Sequence, residues 1–298
     1  MRHTIFSLFC LILLFFPFQF PGALELEVVG GVNFMTYHPD REIAHSDSEN
    51  YSKFQDYPFG FGKINVRGDL SESMAFSVTA ERDNILLNGL SFTLFNRTDN
   101  FRFEFGPFIA IGDRLETPNT GIIGSIEITF PGIAFLSFGG SSTLGSSFDF
   151  TSSSSRETAE VKLGFWLPYI IPSVSVSTRS LTWQKQVEEA SLTLRDTLTK
   201  FQVSADFFVK NVPIIIRLDA GYEIYTRNYK LGNTESTDEL NAWYSGLELV
   251  VQVSKPLRLS AGLEIPVIYS AVEPMIAPDF LWNIIKANFG VVYTFFKD

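Results

Sequence analysis

The sequence predicts an all-β protein, a transmembrane antiparallel up-and-down β-barrel, and three observations predict it. Apolar residues recur with period two along nearly the whole chain, which puts them on one face of a strand. The alternating segments run to about nine to twelve residues, close to the ~9–11 a tilted strand needs to cross a bilayer and well beyond the ~5–6 usual in a soluble domain. Short connections alternate with longer or more polar ones, as in barrels that keep tight turns on one side of a membrane and loops on the other.

Composition excludes the neighbouring classes. The chain has 298 residues, 45% hydrophobic, with mean hydropathy of only +0.13, so it is no bundle of membrane helices, which would need several runs of ~20 apolar residues. A net charge of −10 speaks against a nucleic-acid partner, because phosphate binding needs clustered Lys and Arg. Three His and one Cys leave little material for a transition-metal site, and no cofactor is expected. The outlying number is 30 Phe, more rings than a soluble core of this size usually holds.

Residues 1–23 read as a secretory signal peptide. Arg2 and His3 precede an apolar run from Ile5 to Phe20, and Pro21-Gly22-Ala23 supplies a small residue at the cut. The run is short for a membrane anchor, and Glu25 and Glu27 follow it instead of a basic stop-transfer cluster. The only cysteine, Cys10, lies inside this segment, so the exported chain, residues 24–298, would hold no disulfide.

The elements follow in order. Leu24, Leu26, Val28, Val32 and Phe34 share a face against Glu25, Glu27 and Asn33, and Met74, Phe76, Val78 and Ala80 oppose Ser77, Thr79 and Glu81. Phe101, Phe103 and Phe105 oppose Arg102 and Glu104; Ile122, Ile126, Ile128 and Phe130 oppose Ser125 and Glu127. Val161, Leu163 and Phe165 oppose Glu160 and Lys162, and Phe201, Val203, Ala205 and Phe207 oppose Lys200, Gln202, Ser204 and Asp206. The same holds for Ile214–Ile224 against Arg217, Asp219, Glu223 and Arg227, and for Trp243–Val253 against Tyr244, Glu248 and Gln252. Leu257–Ile265 faces away from Arg258, Ser260 and Glu264. Stretches 60–67, 86–95, 133–144 and 173–186 alternate less cleanly.

Segments begin near residues 24, 57, 74, 86, 101, 120, 133, 159, 173, 197, 214, 241, 257 and 280, which predicts fourteen strands; twelve is the other count, if the segments at Leu86 and Ile133 belong to loops or neighbours. An even count leaves both ends on the periplasmic side. The longer connections are expected at 38–56, 112–119, 145–158, 228–240 and 270–279. Rings near segment ends (Tyr37, Phe130, Tyr169, Trp243, Tyr269 and Phe280) fit interfacial girdles.

The last strand supplies a motif. Asn288-Phe289-Gly290-Val291-Val292-Tyr293-Thr294-Phe295 resembles the barrel-assembly signal of the outer-membrane β-barrel proteins of double-membraned bacteria, with Asn288, Gly290, Tyr293 and Phe295 in its four defined places. It departs from many relatives in that Phe296-Lys297-Asp298 follow. The resemblance covers residues 24–298 and implies an outer-membrane location, insertion by the barrel-assembly machinery, and contact with outer-membrane lipid. Size and strand count look most like the small monomeric porins.

No catalytic residue emerges. His38 and His45 lie in the first loop region, in neither an Asp-x-His nor a His-x-Ser arrangement, and His38, Asp40, Glu42, Asp47 and Glu49 follow no calcium-loop spacing; a solvated acidic loop is the better reading. The expected function is a channel for passive diffusion or uptake of small solutes. Pore-lining candidates are Arg217, Asp219, Glu223, Arg227, Arg258, Glu264, Arg102 and Glu104, within a wider inward set that includes Lys63, Arg67, Glu81, Glu127, Glu160, Lys162, Arg179, Lys200, Asp206, Glu248 and Lys286. The alternatives are a non-conducting barrel whose extracellular loops bind a host or envelope partner as an adhesin or structural protein, and a soluble periplasmic β protein.

Overall fold

The computed structural model describes residues 23–36, 56–82, 87–98, 100–112, 119–145, 152–187, 190–208, 212–271 and 282–295. In chain order the strands are β1 (Leu24–Thr36), β2 (Asp56–Asp69), β3 (Met74–Arg82), β4 (Leu87–Arg97), β5 (Phe101–Gly112), β6 (Asn119–Phe130) and β7 (Ala134–Gly145). They continue as β8 (Ser152–Phe165), β9 (Ile170–Val187), β10 (Ala190–Phe208), β11 (Ile214–Leu231), β12 (Thr234–Gln252), β13 (Leu257–Ala271) and β14 (Trp282–Phe295). Each strand pairs antiparallel with its neighbours in sequence, and β1 closes on β14, from Leu24 opposite Phe295 to Thr36 opposite Trp282. Closure pairs every strand on both sides and leaves no edge, the condition for a sheet in hydrocarbon.

The architecture is the one the alternation predicts, a fourteen-stranded antiparallel barrel, and the segments at Leu86 and Ile133 are strands in their own right. Three starts differ: β8, β10 and β12 begin at Ser152, Ala190 and Thr234, not near residues 159, 197 and 241. Much of 145–158 and 228–240 is therefore strand and not loop. β11 and β12 meet in a two-residue hairpin, Leu231 opposite Thr234, with Gly232 at φ +58° taking the left-handed position. The longest stretches between strands at that end are 37–55 and 272–281.

The opposite end carries the tight connections 70–73, 98–100, 131–133, 166–169, 209–213 and 253–256. Phe130-Pro131-Gly132-Ile133 shows why they are tight. Proline presets the first turn position, glycine at φ +70° takes the second, and the Ile133 N–H donates to the Phe130 carbonyl at 3.0 Å.

The outward face is apolar and bare. Phe101, Phe103, Phe105, Val174, Val176, Val203, Leu218, Leu247, Leu263 and Phe289 are all exposed, on the faces their parity assigns. Phe105, at 48% exposed, is typical. Exposed apolar side chains on every part of the circumference have no place in water and form the lipid-facing belt of a membrane barrel.

The wall is uneven in height and curvature. β9 to β12 are 18 or 19 residues long, whereas β3 to β7 are 9 to 12; at ~3.3 Å per residue the taller side projects some ~20 Å further along the strand. β6 approaches both β4 and β8, strands two away, so the wall turns sharply at β5 and β7. Gly106 occupies the first corner: pairing between β4 and β5 lapses around Thr93 and Gly106, and a side chain at 106 would run into the Phe92 carbonyl.

Candidate functional site

The lumen is built from the residues of opposite parity. Glycines recur among them, and cross-strand aromatic rings lie over these glycines: Gly31 under Phe61, Gly121 under Phe108, Gly164 under Phe135 and Gly221 under Tyr244. A Cβ at any of the four would strike the ring. Several of the rings carry a cation. Lys286 Nζ stands 5.5 Å from the Phe61 centroid, Lys162 Nζ 5.9 Å from Phe135, and Lys200 Nζ 3.8 Å from Tyr244. Phe95 takes two guanidinium groups, Arg67 at 4.7 Å and Arg102 at 5.0 Å. Ring faces attract cations electrostatically, so the cations are held beside the wall.

Carboxylates complete the arrangement, and most predicted pore-lining residues fall into one of two groups. On β10 to β13, Arg217 forms a fork on Asp206 at 2.7 and 2.9 Å and reaches Glu248 at 2.8 Å. Asp219 accepts from Gln202 at 2.9 Å. Lys200 joins Glu223 at 3.3 Å and Glu264 at 2.9 Å, reaching the latter over two intervening strands across the Tyr244 ring. On β4 to β6, Glu104 accepts from Thr93 at 2.7 Å and Ser125 at 3.4 Å, with Arg102 at 3.5 Å. Glu27 and Lys63 pair at 2.9 Å between the two groups. Arg258 stands apart, exposed near the tight-turn end opposite Gln252 and Val292.

Along β9 to β12 the two faces exchange chemistry while the parity continues. Outward, Val174 and Val176 give way to Thr178, Ser180 and Thr182; Val203 and Phe201 to Thr199, Thr197 and Arg195; Leu218 to Thr226 and Asn228; Leu247 and Trp243 to Asn241 and Glu239. Inward, the polar series Gln202, Lys200 becomes Leu198, Leu194 and Leu192, and Glu223 is followed by Tyr225. The tilted ring pair Tyr222–Trp243, centroids 4.9 Å apart, sits outward near this line, where an aromatic girdle belongs. Above the line the outer face meets water.

A buried tier crosses the barrel just above. Arg156, Leu181, Asp196 and Arg227 follow one another in register over β8 to β11, each no more than 9% exposed. Arg227 Nε lies 2.6 Å from Asp196, and its Nη2 donates to the Tyr225 hydroxyl at 2.8 Å. Leu181 packs with Phe108 and Ala110 of β5, and Arg156 reaches Glu81 of β3 at 3.4 Å. Four strands separate β3 from β8, so that contact spans the lumen. Asp196 and Arg156 were not among the expected lumen residues, because both fall in stretches the sequence assigns to connections; the inward leucines at 192, 194 and 198 are the signal that extends β10 to include Asp196.

At the seam, Asn288, Gly290, Tyr293 and Phe295 all lie in β14. Tyr293 and Phe295 point outward with ring centroids 4.7 Å apart, and Gly290 gives its space to the Ser260 side chain opposite. The acidic stretch 38–49 and its histidines lie outside the described residues, as do Tyr37 and Phe280. Among the described residues no group of His, Cys, Asp or Glu is placed to hold a metal.

The chain has the architecture of an outer-membrane β-barrel. No protein-family model matches it, and no characterised protein matches its sequence. Solved structures similar to it include an outer-membrane channel from Pseudomonas putida F1 (9% identity, 93% of this chain and 97% of that one, TM-score 0.49). A bacterial polysaccharide outer membrane secretin (11%, 91% and 98%, 0.48) and OmpT, an outer membrane protein of Vibrio cholerae (11%, 91% and 96%, 0.44), are others. With scores below 0.5 the superpositions are loose, and the reading of this barrel stands on its own two faces.

Proposed function

We propose that the chain is a porin-like outer-membrane channel through which small solutes diffuse or are taken up. The observation that carries this is the lumen below the tier, a polar surface on which rings lie over glycines and cations lie between rings and carboxylates, so that long side chains run along the wall. Eight strands already give a barrel nearly filled by its own side chains, and fourteen leave space for water. In this reading residues 1–23 are a signal peptide removed on export, residues 24–298 form the barrel, and Asn288, Gly290, Tyr293 and Phe295 engage the barrel-assembly machinery. The protein is not an enzyme.

Planar-bilayer recording of the refolded protein tests the proposal. Stepwise openings are expected, and Arg217→Glu, which gathers a new carboxylate beside Asp206, Asp219 and Glu248, should raise the cation-over-anion permeability ratio several-fold. A folded barrel that never opens contradicts the channel and favours a binding role for the loops.

A further inference from the structure

We propose that the tier of Glu81, Arg156, Leu181, Asp196 and Arg227, with Phe108 and Ala110, is the eyelet of the channel, and that it favours small uncharged solutes over ions; this rests on the channel reading above. In a fourteen-stranded barrel of round section, side chains from β3 and β8 would not meet. Here the wall folds sharply at β5 and β7, which brings β8 and β9 towards β3 to β5, and two contacts bridge the gap: Arg156 to Glu81 at 3.4 Å and Leu181 against Phe108 and Ala110. The contacts cross the lumen from β8 and β9 to β3 and β5 and narrow it at this level. The eyelet has a distinctive chemistry. Arg156 is paired with Glu81 and Arg227 with Asp196, and Leu181 adds an apolar contact with Phe108 and Ala110. Charges already engaged with one another, beside an apolar contact, give a dehydrating ion little compensation, whereas a neutral solute with a small apolar face loses little there. The charge ladder below, around Lys200 and Arg217, faces the wider part of the lumen and would tune entry but not set the limit.

The geometry and its consequence can be tested separately. In the full chain carrying Cys10→Ser, Glu81→Cys and Arg156→Cys, a bis-maleimide short compared with the barrel's width should join the two positions, read as altered mobility of the denatured chain. If both thiols take a monofunctional maleimide yet no cross-link forms, the eyelet is overturned whatever the protein conducts. In Glu81→Ala and Arg156→Ala, single-channel conductance should at least double and the preference for uncharged solutes in vesicle swelling should fall, with the exchanged pair Glu81→Arg/Arg156→Glu returning towards the parent values. Unchanged conductance in both alanine chains overturns the eyelet and leaves the channel reading intact. Parent and variants all silent despite the cross-link overturn the channel reading, and the eyelet's role with it. Glu81→Gln, which keeps the shape and removes the charge, makes the same test where an alanine chain does not fold.

Discussion

At the scale of single residues, Lys200 is a lumen charge held from three sides. Its ammonium sits over the Tyr244 ring at 3.8 Å and between Glu223 and Glu264, and its side chain is only 18% exposed. Lys200→Met would leave two carboxylates facing each other without their shared cation. A loss of about 1–3 kcal/mol is expected from unpairing partly buried charges, measured as a lowered urea midpoint in lipid vesicles, together with a shift towards cation selectivity. Gly221 makes the opposite kind of contribution, by absence. The Tyr244 ring and the Phe201 carbonyl occupy the space a Cβ would need, so Gly221→Ala should cost about 1–3 kcal/mol through displacement of the ring and the neighbouring backbone, and only the ring's share of that cost should vanish in a Tyr244→Ala background. Parity in the sequence is enough to send Lys200, Arg217, Asp219, Glu223 and Glu264 inward. It does not reveal that Lys200 reaches Glu264 over two strands, because that contact depends on the Tyr244 ring that seats the ammonium and on the barrel's curvature.

At the scale of elements, the exchange of faces along β9 to β12 explains both what the alternation predicts and where it stops. A reading that follows apolar residues on one parity loses β10 at Thr199 and β12 at Asn241, where the apolar side passes from outside to inside. The starts expected at 197 and 241 mark the edge of the apolar belt and not the ends of the strands. A depth dependence follows for substitutions on one strand. On β11, Leu218→Arg places a charge in hydrocarbon and should destabilise the barrel by about 2–4 kcal/mol, whereas Thr226→Arg, of the same outward parity but above the line, should stay within about 1 kcal/mol. Equilibrium unfolding in vesicles distinguishes the two; equal costs would mean that the belt does not end where the faces exchange. The stretches 145–158 and 228–240 resemble loops in sequence because Ser, Thr, Asn and Glu dominate them, yet the same residues suit a strand that has water on its outer side.

At the scale of the whole molecule, the abundance of Phe in a chain of modest hydropathy resolves into two roles. Phe101, Phe103, Phe105 and Phe289 project from the outer face, while Phe61, Phe108 and Phe135 lie inside over glycines, where they pack the wall or seat a cation. Strand number and the direction of each face were readable because period-two alternation runs through nearly every segment. The buried tier was not, since it arises from a sharp fold of the wall at β5 and β7 that no local pattern encodes. A closed barrel with every strand paired on both sides resists detergent, so the protein should migrate differently on gels with and without heating, and a chain lacking residues 282–298 should lose that difference because β1 then has no partner across the seam and the barrel cannot close. The central claim is that the sheet meets lipid with one parity and water with the other up to a definite line. A nitroxide moved singly along β10 in vesicles, from residue 193 to 207, tests it most directly. Labels at 201, 203 and 207 should be reached by oxygen in the lipid, those at 202, 204 and 206 should not, and those at 195, 197 and 199 should be reached by a water-soluble nickel complex. Water access at 201, 203 and 207, or no alternation at all, would contradict the account.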